Sequence, residues 1–211
     1  MDAAMNSACP VCVVDDDDDV RLSIRTLLES ADLAVRDYQS ADAFLADDIH
    51  SAACLIADVQ MPLMDGLTLQ QEVARRRRDL PVVMISGHGQ VNLAVSAMKA
   101  GAVDFIEKPF DDETFLSSVR RAIEIGERAR SKAAETRVAR KLVAMLTPRE
   151  RNVLDELVLG MSNKAAAQRL GISPRTIEVY RAQIMDKLHA HSLSDIVRTA
   201  LAASRASFGH Y

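Results

Sequence analysis

Apolar residues along this chain come in two rhythms. Short apolar runs at residues 11–14, 53–57, 81–85 and 103–106, the last interrupted by Asp104, alternate with stretches where apolar residues recur every three or four positions. The runs predict strands buried on both faces of a parallel sheet, and the periodic stretches predict helices. Val20, Ile24, Leu27 and Leu28 mark a first helix, residues 33–35 a further short strand, and residues 41–46 a short helix. Helices follow at 67–78, which ends in four arginines, at 91–99, which Gly101 stops, and from near Asp111. Five strands alternating with five helices predict an α/β doubly wound five-stranded parallel sheet.

The rhythm changes after Ile123. Residues 123–145 are rich in Ala, Arg, Glu and Lys, with no Pro and no Gly beyond Gly126, a composition that favours continued helix. Thr147-Pro148-Arg149-Glu150 then reads as a helix start, with Thr147 as cap, Pro148 at the first helical position and Glu150 completing a capping box. Val153, Leu154 and Leu157 give that helix its apolar face, and Gly160 ends it. A second helix is expected over 163–170, stopped by Gly171, a third from Ser173-Pro174 to about Leu188, and a fourth opening at Ser192. Two helices joined across Gly171 within an all-α four-helix unit fit a helix-turn-helix. The expected domains are 1–124 for the sheet, 125–145 for a helical linker and 146–211 for the helical unit.

Charge separates the same two parts. Residues 1–124 hold 22 acidic and 11 basic side chains, net −11, whereas residues 125–211 hold 8 and 15, net +7. A basic second part is a candidate for nucleic acid. With 48% hydrophobic and 27% charged residues the composition is that of a globular protein, and no apolar stretch approaches a membrane span of roughly 18 residues. Residues 1–8 lack a signal-peptide pattern, and three cysteines (Cys9, Cys12, Cys54) cannot all pair. The expectation is a cytoplasmic protein with reduced thiols and no membrane partner.

The candidate chemistry converges on one sheet edge. Asp15, Asp16, Asp58, Ser86 and Lys108 all stand at the carboxyl ends of predicted strands, where ligands sit in open parallel sheets. Three carboxylates gathered there require a cation, and oxygen ligands with room for water suit Mg²⁺. A lysine and a hydroxyl beside them can bind the oxygens of a phosphoryl group. The set reads as a place where a carboxylate is phosphorylated. Asp17, Asp18 and Asp19 read instead as a solvated helix start. In the second part, Ile177, Ile184 and Leu188 share one face of the third helix. Arg175, Val179, Ala182 and Asp186 lie opposite, with Glu178 and Gln183 nearby. A groove-reading helix needs that division, and Lys164, Arg175, Thr176 and Arg181 are placed to meet phosphates.

Asp58-x-x-Met61-Pro62-x-x-Asp65-Gly66 and Lys108-Pro109-Phe110 resemble the receiver domain of two-component response regulators, a flavodoxin-like fold. The resemblance implies that Asp58 is the phosphoacceptor, with Asp15 and Asp16 the acidic pair and Gln60 lending a backbone carbonyl to the metal. It further implies that Ser86 is the switch hydroxyl, Phe105 the aromatic switch and the Lys108-Pro109 bond cis. Gln60 and His88, two places beyond Asp58 and Ser86, are candidates to tune dephosphorylation. Leu146-Thr147-Pro148-Arg149-Glu150-Arg151, Gly160-x-Ser162-Asn163-Lys164 and Ile172 to Val179 resemble the LuxR-type DNA-binding domain, although Tyr180 stands where that family commonly has His. The pairing of the two resembles the FixJ subgroup of transcriptional regulators. It implies a sensor histidine kinase and promoter DNA as partners, a homodimer when phosphorylated, RNA polymerase as a further candidate partner, and no enzyme activity beyond the receiver's own phosphorylation and dephosphorylation.

Two other readings attach to the same residues. Asp16-Asp17-Asp18-Asp19-Val20 contains the nucleophile signature of haloacid-dehalogenase-type phosphatases, but the later acidic motif of those enzymes is missing. A helical unit that binds protein rather than DNA is the other, and a steep salt dependence of DNA binding discriminates against it.

Overall fold

A computed structural model describes residues 9–87 and 91–204, so His88 lies outside the described residues. The chain divides into two compact units, Met1–Arg130 and Ser131–Tyr211.

The first unit is a five-stranded parallel sheet in the order β2-β1-β3-β4-β5. Its strands are β1 (Val11–Val14), β2 (Val35–Tyr38), β3 (Cys54–Asp58), β4 (Val82–Ser86) and β5 (Asp104–Glu107). Between them run α1 (Asp18–Ser30), α2 (Ala41–Ala46), α3 (Gly66–Arg76) and α4 (Val91–Lys99), and α5 (Asp112–Ala144) follows. Side chains on a strand alternate between faces, and each of the three central strands splits accordingly. Val11, Val13, Cys54, Ile56, Val83 and Ile85 pack with Ile24 and Leu28 of α1 and Phe115, Val119 and Ala122 of α5. Cys12, Val14, Leu55, Ala57, Val82 and Met84 pack on the other face with Phe44 of α2, Leu69 and Val73 of α3 and Ala97 of α4. All residues of β1, β3 and β4 are buried, as unbroken apolar runs require. Each large aliphatic or Phe side chain so buried is worth about 1.5–3 kcal/mol.

The second strand differs from expectation. It begins at Val35 rather than Leu33, because the Leu33 N–H donates to the Leu28 carbonyl at the end of α1 and Asp32 turns the chain with φ +60°. Leu33 thus packs below the helix end, and Tyr38 closes the strand edge-on to Phe44.

The long α5 runs unbroken from Asp112 to Ala144, so residues 125–145 are helical nearly throughout, and the two units divide that stretch between them. Up to Arg130 the helix belongs to the sheet unit: Gly126 is buried, and Arg130 donates to the Ala52 carbonyl at 3.1 Å. From Ser131 it belongs to the second unit, where Ala139 is buried and Leu142 and Val143 join the core.

The second unit adds α6 (Pro148–Val158), α7 (Asn163–Leu170), α8 (Pro174–Lys187) and α9 (Leu193–Ser204). Thr147 and Glu150 form the reciprocal capping box, Ser162 and Ser173 cap α7 and α8, and Gly171 ends α7 in the left-handed region at φ +66°. The core between the helices holds Val153, Leu154, Leu157, Ala166, Ala167, Ile177, Ile184, Leu188 and Ile196.

Candidate functional site

Three strand ends and the β5 exit meet at one edge of the sheet. Asp15, next after β1, is 1% exposed; Asp58, the last residue of β3, is 5% exposed; Ser86, closing β4, is fully buried. Backbone bonds fasten the loops that leave them: Val59 N–H to the Ile85 carbonyl at 2.9 Å, and Lys108 N–H to the Ser86 carbonyl at 2.8 Å. The Lys108–Pro109 peptide is cis.

Lys108 holds the two buried carboxylates together. Its Nζ donates to Asp15 Oδ2 and to Asp58 Oδ1, both at 2.7 Å. The remaining oxygens accept from backbone: Asp15 Oδ1 from Asp17 N–H at 2.9 Å, and Asp58 Oδ2 from Gln60 N–H at 2.6 Å. Burial pushes the Asp58 carboxyl above its ordinary value, and Asp15 pushes the same way. Lys108 and the Gln60 amide oppose them without reversing the shift. For Lys108, burial opposes the charged form, but its bonds to Asp15 and Asp58 prevail and the ammonium is held above its ordinary range. The outcome is a fixed, partly desolvated carboxylate of raised basicity beside a lysine that stays charged.

Gly66 sets how closely the loop after Asp58 returns. A Cβ there would lie 2.1 Å from the Asp58 carbonyl oxygen and 2.8 Å from Met84 Cε. Asp65 caps the helix that starts at this glycine by accepting from Thr68 N–H at 2.7 Å. Between them Leu63 adopts φ +67° and is almost wholly exposed.

The structure brings together some of the expected residues and not others. Asp15, Asp58 and Lys108 are in contact, Ser86 lies on the same edge, and Phe105 is half-buried against the α2–α4 side of the sheet. Asp16 is exposed and lines an open cleft of about 600 Å³ with Gln60, Met61, Pro62 and Asp65. The expected cluster of three carboxylates is thus a buried pair joined by an ammonium with a third at the rim. Among the described residues no three His, Cys, Asp or Glu side chains gather closely enough to hold a metal. Asp17, Asp18 and Asp19 cap and open α1, as a helix N-terminus favours. Arg21, which the sequence did not single out, donates to the Asp15 carbonyl at 2.7 Å and pairs with Asp18.

On α8 the division of faces is as the periodicity requires. Ile177, Ile184 and Leu188 are buried, while Arg175, Glu178, Val179 and Ala182 are exposed, as is Lys164 on α7. Thr176 and Arg181 are half-buried and already engaged: Thr176 with the cap Ser173, and Arg181 Nη1 with Asn163 Oδ1 at 2.7 Å. Sequence reasoning also missed a second role of Glu150. Besides capping α6, both its oxygens accept from Lys187 Nζ, at 2.8 and 2.7 Å, and this pair holds its carboxyl below the usual range. Tyr180 is half-buried against the core, so the departure from His there falls on a packing position.

Comparison with known proteins covers both units. Residues 11–120 match the response regulator receiver domain, and residues 144–200 match the bacterial regulatory proteins of the luxR family. The chain is 47% identical to the transcriptional regulatory protein FixJ of Azorhizobium caulinodans, over 96% of each chain. It is 44% identical to FixJ of Bradyrhizobium diazoefficiens, over 92% of this chain and 95% of that one. Among solved structures, the response regulator StyR aligns with a TM-score of 0.79 at 35% identity, over 90% of this chain and 97% of that one. Full-length FixJ from B. japonicum aligns with a TM-score of 0.55 at 43% identity, over 92% and 97%. Receiver and LuxR-type domains fit a kinase and DNA as partner classes, and the family consists of transcriptional regulators rather than enzymes. With a buried, lysine-bound aspartate at the sheet edge and a helix-turn-helix later in the sequence, the chain belongs to the FixJ-like response regulators, phosphorylation-dependent regulators of transcription.

Proposed function

We propose that Asp58 is the phosphoacceptor, that its donor is a sensor histidine kinase, and that the phosphorylated protein dimerises and binds promoter DNA through α8. The observation that carries the reading is Lys108 Nζ at 2.7 Å from both Asp15 and Asp58 on the carboxyl edge of the sheet. A carboxylate oxygen of Asp58 attacks phosphorus, the bond from phosphorus to the donor's imidazole nitrogen breaks, and that nitrogen keeps the electron pair. Lys108 is positioned to balance charge on the phosphoryl oxygens, and Ser86, at the end of the neighbouring strand, to hydrogen-bond one of them. Phe105, half-buried on the strand beside β4, is placed to repack when Ser86 moves.

The donor set suits Mg²⁺, since Asp15, Asp16 and Asp58 supply hard carboxylate oxygens with net negative charge and the Gln60 carbonyl is a further oxygen. Bound there, Mg²⁺ would neutralise charge on the transferring phosphoryl group. Arg175, Thr176, Glu178, Val179, Ala182 and Lys164 form the DNA face, with RNA polymerase a further partner at the promoter. Among the described residues no helix is long and apolar enough to cross a membrane, and Cys9, Cys12 and Cys54 are unpaired, which fits a cytoplasmic setting.

The test is intact mass after incubation with acetyl phosphate and Mg²⁺. A single phosphoryl adduct on the wild type and none on Asp58→Ala is expected. An adduct on both would move the acceptor to another carboxylate, with Asp16 the first to examine.

A further inference from the structure

The cations of the helix-turn-helix do not have equal freedom to meet DNA. Among the described residues Arg175 and Lys164 are exposed and make no ion pair. Lys187 and Arg181, also basic and also on α8, are engaged inside the unit, with Glu150 of α6 and Asn163 of α7. We infer that Arg181 serves DNA binding as a positioning residue, acting through Asn163 to fix the angle between α7 and α8, and not as a phosphate contact.

Packing explains why a polar pin is needed there. The fully buried residues of α7 are Ala166 and Ala167, small side chains, and its one large apolar contact with the core, Leu170, lies at its far end from Asn163. Apolar contact therefore fixes the Leu170 end of α7 better than the Asn163 end, where only small side chains meet α8. Asn163 is the first residue of α7, directly after the cap Ser162, so a bond at its side chain fixes the end of that helix. The guanidinium is planar and charged, and its bond to a carbonyl oxygen is charge-assisted, short and directional. Lys187 pins the far end of α8 to Glu150 by both carboxylate oxygens. With the Arg181 pin gone, α8 can pivot about that end. Arg175 lies 12 residues from Lys187, a lever of about 18 Å, so a pivot of about 5° moves it by roughly 1.6 Å. That is enough to break a hydrogen bond to a base or phosphate.

The experiment uses the full chain, phosphorylated with acetyl phosphate, and the duplex that the wild type enriches from a random-sequence pool. Affinity is measured from about 50 to 200 mM KCl for wild type, Arg181→Ala, Arg181→Lys, Asn163→Ala, the Arg181→Ala/Asn163→Ala pair and Lys164→Ala. Arg181→Ala and Asn163→Ala should each weaken binding about tenfold, with unchanged salt slope. The pair should be no weaker than either alone, because both remove one interaction. Arg181→Lys keeps the charge but replaces the rigid planar donor at Nη1 with a rotatable ammonium, and should recover at most part of the loss, with unchanged salt slope. Lys164→Ala should instead reduce the salt slope by about 0.9. A slope lowered by about 0.9 in Arg181→Ala, with Asn163→Ala binding as wild type, would overturn the inference and make Arg181 a phosphate contact. If Arg181→Ala fails to fold, Asn163→Ala and Arg181→Lys decide by the same criteria. Failure of the wild type to enrich any duplex would instead strike at DNA binding itself.

Discussion

Three glycines of the receiver unit give a graded test of the geometry around Asp58. At Gly66 a Cβ would sit 2.1 Å from the Asp58 carbonyl oxygen, at Gly126 2.9 Å from Pro81 Cδ and 3.2 Å from the Ala53 carbonyl, and at Gly87 it would meet nothing within 4 Å. A close carbon–oxygen contact is about 3.3 Å, so alanine at Gly66 demands a displacement of about 1.2 Å in backbone that is itself hydrogen-bonded. Overpacking against backbone puts Gly66→Ala at about 3 kcal/mol, near 10 °C in the receiver's melting transition. At Gly126 the Cβ would stand 2.9 and 3.0 Å from two atoms of the rigid Pro81 ring, more than half an ångström inside carbon–carbon contact, so overpacking outweighs the about 1 kcal/mol of helix propensity that alanine returns and Gly126→Ala should cost about 1 kcal/mol. Gly87→Ala should be neutral to about 0.5 kcal/mol. Calorimetry on the full chain, with acetyl-phosphate labelling of Asp58 alongside, reads both consequences. Labelling should fail in Gly66→Ala and persist in the other two. If Gly66→Ala melts with the wild type, or labels at the same rate, close approach is not what the loop requires of that residue.

Burial disfavours the charge on Asp58, but Asp58→Asn has one acceptor oxygen and can keep either the Lys108 or the Gln60 bond and not both, so the two effects offset and receiver stability should stay within about 1 kcal/mol of wild type in metal-free buffer at neutral pH; a urea midpoint lowered by more than about 2 kcal/mol of stability would contradict this. The Glu150 carboxyl is held below its ordinary value, so its contribution is complete above the usual glutamate range and is lost as pH falls through the lowered one. Lys187→Met should therefore melt the second unit earlier at pH 7 and abolish much of that acid sensitivity, and an unchanged acid profile would dissociate Lys187 from it. Leu63, exposed at φ +67°, carries a left-handed strain of about 1–2 kcal/mol, partly offset in glycine by unfolded-state entropy, so Leu63→Gly should stabilise the receiver by about 0.5 kcal/mol in chemical melts. A destabilised Leu63→Gly would show that the leucine makes contacts worth more than the strain.

What the sequence made legible follows from where each signal lives. Strands β1, β3 and β4 were readable because burial on both sheet faces writes an unbroken apolar run, and α7 because Ser162 and Gly171 punctuate both ends. Strand β2 was misplaced because it lies at the sheet edge with all four residues only half-buried, so Arg36 and Asp37 break the apolar pattern while Leu33 supplies a false one. The site residues were found as a set because a parallel sheet brings every strand's carboxyl end to one edge, whatever the sequence separation. Which of them touch was not legible. Lys108 meets Asp15 across 93 residues, and that bond, not the run of five acids, divides Asp15 from the exposed Asp16. Polar pins of the second unit have the same character: Arg181 to Asn163 spans 18 residues and Lys187 to Glu150 spans 37. Each pair joins two different helices, so periodicity within one helix could place these cations on a face but not say whether that face was already occupied. A basic residue on a recognition helix is therefore ambiguous in one dimension, and a partner on another helix at hydrogen-bond distance, as Arg181 has in Asn163, marks a cation that is proposed to aim the helix rather than to meet DNA.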